Sequence, residues 1–195
     1  MSASTPERRD HRLAFLRGFL EKPKEVGSII PSSRFLEKRL VRIGELARAD
    51  LAIELGPGTG GTTRALLSAM RSNARLLAIE INPHFARLLR RTIQDPRLLV
   101  HEGSASEIGE ALAALELPRA DVILSGIPFS TMSRDQGLEI LRAIDRNLSP
   151  GGRFVAYQFR DRVESLGRQV FGRPRIQTEL RNVPPMRLYR WDAQG

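Results

Sequence analysis

The 195-residue chain contains no cysteine. That excludes disulfide staples, a thiolate nucleophile and any cysteine-ligated metal centre. Its histidines, His11, His84 and His101, match no metal-ligand spacing, so no metal site is expected. No apolar run approaches the ~20 residues of a membrane-spanning helix. The opening MSASTPERRDHR lacks the apolar core of a secretory leader, which makes the cytoplasm the expected compartment. Internal repeats and low-complexity tracts are absent, and aromatic residues make up only 6% of the chain. The hydrophobic fraction of 41% is nonetheless ordinary and argues against wholesale disorder. The length suits one domain with a real core.

Lysine is almost missing, because 28 of the 31 basic residues are arginine. The formal charge of +9 is unevenly placed: residues 1–50 carry +4, residues 51–152 are neutral and residues 153–195 carry +5. Flanks of that sign suit an anionic partner, whether acidic lipid, nucleic acid or a phosphorylated substrate. Arginine-rich compositional drift would give the same surplus.

The neutral middle alternates strand-like and helix-like stretches. Leu51–Leu55, Leu76–Glu80, Leu98–His101, Val122–Ser125 and Phe154–Phe159 read as short buried strands. Thr62–Met70, Pro83–Arg91 and Arg134–Leu148 read as helices between them, the last ending at the turn Ser149-Pro150-Gly151-Gly152. This order predicts βαβ units and an α/β, Rossmann-like, mostly parallel sheet. Ile176–Leu180 and Arg187–Trp191, split by Asn182-Val183-Pro184-Pro185, predict an antiparallel C-terminal hairpin at the sheet edge. Residues 1–50 read as an N-terminal helical cap and residues 51–195 as the domain it covers, the two forming one structural unit. In the cap, Leu13, Leu16 and Leu20 form an apolar stripe widened by Phe15 and Phe19 and ringed by basic residues. After the break at residues 26–33, a second helix is predicted over Arg34–Leu46.

The stretch IELGPGTGG, residues 53–61, carries the chemistry. Gly56, Gly58 and Gly61 fit a dinucleotide fingerprint, and Gly56, Gly58 and Gly60 fit the tighter loop of class I methyltransferases. Either loop lets a ligand approach the backbone closely. Glu54 bears on the choice, since a carboxylate just before the turn would repel a pyrophosphate drawn to the helix N-terminus. It suits S-adenosylmethionine, which offers an ammonium and a sulfonium but no phosphate. Glu80 ends the next strand and can accept two ribose hydroxyls in either kind of site. A chain this short also lacks the second domain of a typical dehydrogenase.

Several segments together resemble the bacterial phospholipid N-methyltransferases, which methylate phosphatidylethanolamine with S-adenosylmethionine. They are Val26-Gly27-Ser28-Ile29-Ile30-Pro31-Ser32-Ser33, Glu54-Leu55-Gly56-Pro57-Gly58-Thr59-Gly60, Ser125-Gly126-Ile127-Pro128-Phe129, Ser149-Pro150-Gly151-Gly152 and Asn182-Val183-Pro184-Pro185. The resemblance spans residues 14 to 191, and its glycine loop and Pro-Gly-Gly turn are shared by class I methyltransferases at large. It implies a seven-stranded class I fold, an N-terminal helix lying on the membrane and a Pro-Ser-Ser segment over the cofactor. The implied cofactor set is Ser32, Ser33, Glu54, Gly56, Pro57, Gly58, Thr59, Gly60, Thr62, Glu80, Ile81, Gly103, Ser104, Ala105 and Ser125. Ser104 stands where many relatives place an aspartate against the adenine amino group. Tyr157-Gln158-Phe159-Arg160 is a second departure, on the substrate side.

Ser125 and Ile127 follow the fourth strand, where such enzymes place the acceptor atom, and no side-chain amide is present there to grip a planar amino group. Tyr157 is a candidate to orient the amine or meet its methylated product through the ring. Arg160 and Arg187 are candidates for the lipid phosphate. The expected reaction is in-line displacement by a neutral amine, driven by orientation and desolvation, with no residue standing out as the base. The expected setting is an anionic membrane surface, met peripherally by the basic first helix. An RNA methyltransferase, another aminolipid or small-molecule methyltransferase, and a non-catalytic binding protein are the alternatives.

Overall fold

The computed structural model describes residues 32–193. Seven strands form one sheet: β1 (Leu51–Leu55), β2 (Arg75–Glu80), β3 (Leu98–Glu102), β4 (Ala120–Ser125), β5 (Leu148–Gln158), β6 (Arg175–Glu179) and β7 (Met186–Asp192). Their spatial order is β3-β2-β1-β4-β5-β7-β6. The first five run parallel, while β7 lies antiparallel to both β5 and β6. Six α-helices join them: α1 (Arg34–Gly44), α2 (Gly61–Ala69), α3 (Pro83–Thr92), α4 (Ile108–Ala114), α5 (Arg134–Asn147) and α6 (Arg162–Phe171). This is the Rossmann-like sheet with a C-terminal antiparallel hairpin that the sequence pattern predicts.

Period-2 alternation divides the core into two layers. On β1, Leu51, Ile53 and Leu55 face a cluster built with α4, α5 and α6. Ala52 faces the opposite cluster, where α1 contributes Leu36, Leu40 and Ile43 and α2 contributes Leu66 and Leu67. Burying an aliphatic side chain of this kind contributes about 1.5–3 kcal/mol, so α1 is an integral part of the second layer. Its C-terminal end and its middle are also tied down. Glu45, just past its C-terminus, pairs with Arg153 at 2.7 Å and Arg190 at 2.8 Å, while Arg39 pairs with Glu179 at 2.8 Å.

Three elements depart from the sequence pattern. β5 begins at Leu148, six residues before the expected Phe154, because Ser149–Gly152 is absorbed as an irregularity between the pairs Ala120↔Leu148 and Val122↔Arg153. Gly151 takes φ +73° there, and a side chain at Gly152 would strike the Ser149 carbonyl and crowd those of Asp121 and Ala120. α4 is only seven residues long, too short for a clear 3.6-residue period. α6 was not anticipated either; its Gly167 packs flat on Trp191, which in turn stacks on Phe154 at 5.2 Å. The expected basic helix carrying Leu13, Leu16 and Leu20, and residues 26–31 of the Pro-Ser-Ser segment, lie outside the described residues.

Candidate functional site

The sheet reverses direction of assembly between β1 and β4, which opens a crevice at their carboxyl ends. Two loops meet there. Gly56 N–H donates to the Ile79 carbonyl, Gly126 N–H donates to the Leu55 carbonyl, and Gly56 packs against Ile127. The glycine loop needs its glycines for different reasons. Gly56, Gly58 and Gly60 all have positive φ, a region costly for other residues. At Gly60 a side chain would also strike Leu89 and Ile93, whereas at Gly58 it would enter open space. The backbone around Gly58 and the exposed Thr59 is therefore left bare for a ligand, with the buried Pro57 supporting it from behind.

Two buried carboxylates bracket this loop. Glu80 accepts the Gly58 N–H with Oε2 and the Asn82 N–H with Oε1, both at 2.9 Å. It thereby fastens the glycine loop to the end of β2, next to Ile81. Burial raises its pKa, and the Asn82, Gly58 and Ile81 N–H groups offset part of that rise. Glu54 is fully buried and shares the face of Ala52, which aims it at α2. There Thr63 donates a 2.6 Å hydrogen bond to Oε2, while Oε1 has no partner among the described residues. Burial pushes the Glu54 pKa up to about 7, with Thr63 working against it and Glu80 adding to it. A buried acceptor left open beside a bare loop fits a cationic ligand group.

Tyr157, on the next strand but one, faces the same layer as Glu54. Its hydroxyl lies against Gly126, where a β-carbon would come within 2.5 Å of it. Burial, then the Glu54 charge, raises its pKa, and neighbouring Thr62 works the other way. The neutral phenol is thus the form that persists at physiological pH. Ser125 is fully buried at the end of β4. The Ser32 hydroxyl accepts from Thr62 at 3.2 Å, so the segment before α1 reaches the rim of the glycine loop.

Other predicted residues stand further out or are engaged locally. The Ser33 hydroxyl caps α1 by accepting the Leu36 N–H. Ser104 forms a capping box with Glu107 at the turn Ala105–Glu107, so its hydroxyl already has partners. Gly103 is confined by His101 and Glu107, and its N–H donates to the Glu80 carbonyl, keeping this turn beside β2. Arg160 is exposed beyond β5, and Arg187 lies 3.9 Å from Asp161 on the same edge.

Two functional supports escaped the sequence reading. Gln158 donates to the Ile127 carbonyl at 2.6 Å and so fixes the loop after β4. Asn182, from the Asn-Val-Pro-Pro segment, accepts the Ser33 N–H at 2.9 Å and donates to the Pro184 carbonyl at 2.9 Å. Its amide joins the β6–β7 turn to the start of α1, across 149 residues of chain. Asn182→Ala leaves the half-buried Ser33 and Pro184 groups without these partners, and should cost about 1–3 kcal/mol in a urea titration. Asn182→Asp keeps the acceptor and should cost less.

Comparisons with known proteins agree with this geometry. A family model described as a methyltransferase domain matches residues 52–152, which run from β1 through the start of β5. An ornithine lipid N-methyltransferase of Singulisphaera acidiphila is 29% identical over 177 residues, covering 90% of this chain and 92% of that protein. Ribosomal RNA small subunit methyltransferase A of Maricaulis maris is 40% identical over 98 residues, but the match spans 49% of this chain and only 32% of that protein. Among solved structures, the N-methyltransferase NodS of Bradyrhizobium japonicum WM9, in complex with S-adenosylhomocysteine, superposes with a TM-score of 0.67 at 15% identity. That superposition covers 92% of this chain and 100% of NodS. The chain belongs to the methyltransferase domain family, and it is an S-adenosylmethionine-dependent methyltransferase of Rossmann-like fold.

Proposed function

We propose that the enzyme methylates the amine of a membrane aminolipid. The observation that carries this reading is the near full-length similarity to a lipid N-methyltransferase, against a one-third match to the ribosomal RNA enzyme. The motif resemblance to phospholipid N-methyltransferases points to phosphatidylethanolamine, and the relative's name to an ornithine lipid. Both present a primary amine near an acidic group, at a membrane surface. The described residues contain no helix long and apolar enough to cross a membrane.

Bound S-adenosylmethionine would supply an activated methyl group, which an unprotonated amine could take in line as the sulfur–methyl bond breaks and S-adenosylhomocysteine leaves. The residues of the chain supply the setting. Glu54 would hold the cofactor's ammonium, the bare backbone from Gly56 to Gly60 would admit its methionine end, and Glu80 would take the ribose hydroxyls. Ile81, Gly103, Ser104 and Ala105 would border the adenine, with Ser32, Ser33 and Thr62 at the rim. Ser125, Ile127 and Tyr157 form the acceptor side. Their backbone is pinned by Gln158 and Leu55, so the amine meets a fixed surface that excludes water. Arg160 and Arg187, exposed on the neighbouring sheet edge, are the candidates to meet a lipid phosphate or carboxylate.

Incubation with methyl-labelled S-adenosylmethionine and vesicles tests this reading. Label should enter vesicles containing phosphatidylethanolamine or ornithine lipid and stay out of vesicles containing only phosphatidylglycerol and phosphatidylcholine, which lack a primary amine. Labelling of the last set, or of none while the cofactor binds, would overturn it.

A further inference from the structure

Among the described residues five large apolar side chains stand exposed, and three of them gather at one edge of the sheet. Val183 is 87% exposed, Leu180 73% and Phe159 57%. Strand register brings them together. The pair Gln158↔Arg187 puts Phe159 level with Met186, and Glu179↔Met186 puts Leu180 one step beyond that row. At ~4.8 Å between strands, Phe159 and the β6–β7 turn stand within roughly 10–15 Å of one another along this edge.

The turn is held so that its apolar residues point outward. Asn182 is buried and bonded to Ser33 and Pro184, which leaves its neighbours Val183 and, two residues back, Leu180 facing solvent. Glu179, at the base of the turn, is also buried. The Arg181 N–H, with Arg39 and the Arg181 guanidinium, holds its carboxyl down to about 2. Arg181 in addition covers the Phe35 ring at 4.1 Å. The result is a braced projection, with exposed Arg34, Arg160, Arg162 and Arg187 around it. Asp161, 3.9 Å from Arg187, is the exposed acid among them.

Apolar tips ringed by arginine match the interface of a bilayer carrying anionic lipid, where the tips reach the acyl boundary and the guanidinium groups meet headgroups. A nucleic acid would satisfy the arginines but leave Leu180 and Val183 in water, because aliphatic side chains offer no stacking surface to bases. Residues 1–31 carry six basic and four acidic residues, so their net charge has the same sign as the patch.

We propose that the β6–β7 turn, with Phe159 beside it, is a docking surface for an anionic bilayer. The turn lies at the carboxyl edge of the parallel strands and connects through Asn182, Ser33 and the Ser32–Thr62 hydrogen bond to the rim of the glycine loop. Docking there brings the mouth of the site onto the membrane. The inference rests on the aminolipid reading for its purpose, though the docking itself is measured without methyl transfer.

The test is vesicle flotation of the full chain, with phosphatidylcholine alone or mixed with phosphatidylglycerol. Wild type should bind the anionic vesicles. The double variant L180S/V183S should bind them roughly tenfold more weakly or worse, with unchanged melting and unchanged stabilisation by S-adenosylhomocysteine. V183S alone should show part of the loss and serves if the double variant misfolds. L115S, which removes an exposed apolar side chain elsewhere, should bind like wild type. Wild type failing to bind anionic vesicles, or L180S/V183S binding like wild type, would overturn the proposal. So would an equal loss in L115S, or a loss of oligoribonucleotide binding in L180S/V183S as large as the loss for vesicles. Binding that needs the turn, without methyl transfer to any aminolipid in detergent micelles, would uphold the surface and refute the substrate reading.

Discussion

At a pH of about 8, Glu54→Gln is expected to weaken S-adenosylhomocysteine binding roughly tenfold to a hundredfold. The same variant should leave the unliganded protein as stable as wild type, or more stable. The opposite signs follow from one buried carboxyl. Its pKa is 4.5 when unfolded and about 7 when folded, so the unliganded fold prefers the protonated form. The stability from Glu54 is therefore complete below pH 4.5 and is lost as pH rises through 7, by about 3 kcal/mol at most. A cofactor ammonium reverses the preference, because it needs the ionised carboxylate. Stabilisation by S-adenosylhomocysteine should accordingly grow across pH 6 to 8, roughly the span around that pKa. In the Gln variant both pH dependences should flatten. Thermal melts with and without ligand read both quantities, and wild-type affinity in the variant would refute the role given to Glu54.

Gly126→Ala should lower kcat by about a hundredfold while changing cofactor affinity far less. The added methyl would lie 2.5 Å from the Tyr157 hydroxyl oxygen and 2.9 Å from its ring, with the Gly56 carbonyl 3.4 Å away on another side. Tyr157 is buried in the α1 layer, so its ring cannot swing clear, and the loop carrying Ile127 must shift instead. The variant should also lose about 1–3 kcal/mol of stability from overpacking. Adding Tyr157→Phe removes the closest atom. The double variant should regain part of the lost kcat and stability, a coupling that a double-mutant cycle measures. Independent, additive losses would show that the two loops do not share this contact.

Much of this site was legible because its parts are local. A strand, a glycine turn and a helix follow one another within residues 51–70, and Glu54 and Glu80 fall at strand ends that short apolar runs already mark. The hairpin was legible for the same reason, since Asn182–Pro185 cannot continue a strand. What sequence could not disclose was who meets whom across the sheet. Gln158 looked like a departure from a motif until it was seen holding the Ile127 carbonyl, 31 residues away. Asn182 looked like a turn residue, and only the fold shows it buried and bonded to Ser33. Glu54 could be placed beside the loop from sequence, but its pKa depends on how completely α2 and the neighbouring strands exclude water.

The most direct test of the central claim puts both acceptor classes in one reaction. Purified enzyme, methyl-labelled S-adenosylmethionine, aminolipid vesicles and ribosomal RNA are incubated together, and the label in each fraction is identified by mass spectrometry. The account predicts label on the amine nitrogen of the lipid and none in the RNA. Label on adenine, with the lipid unmodified, would contradict it.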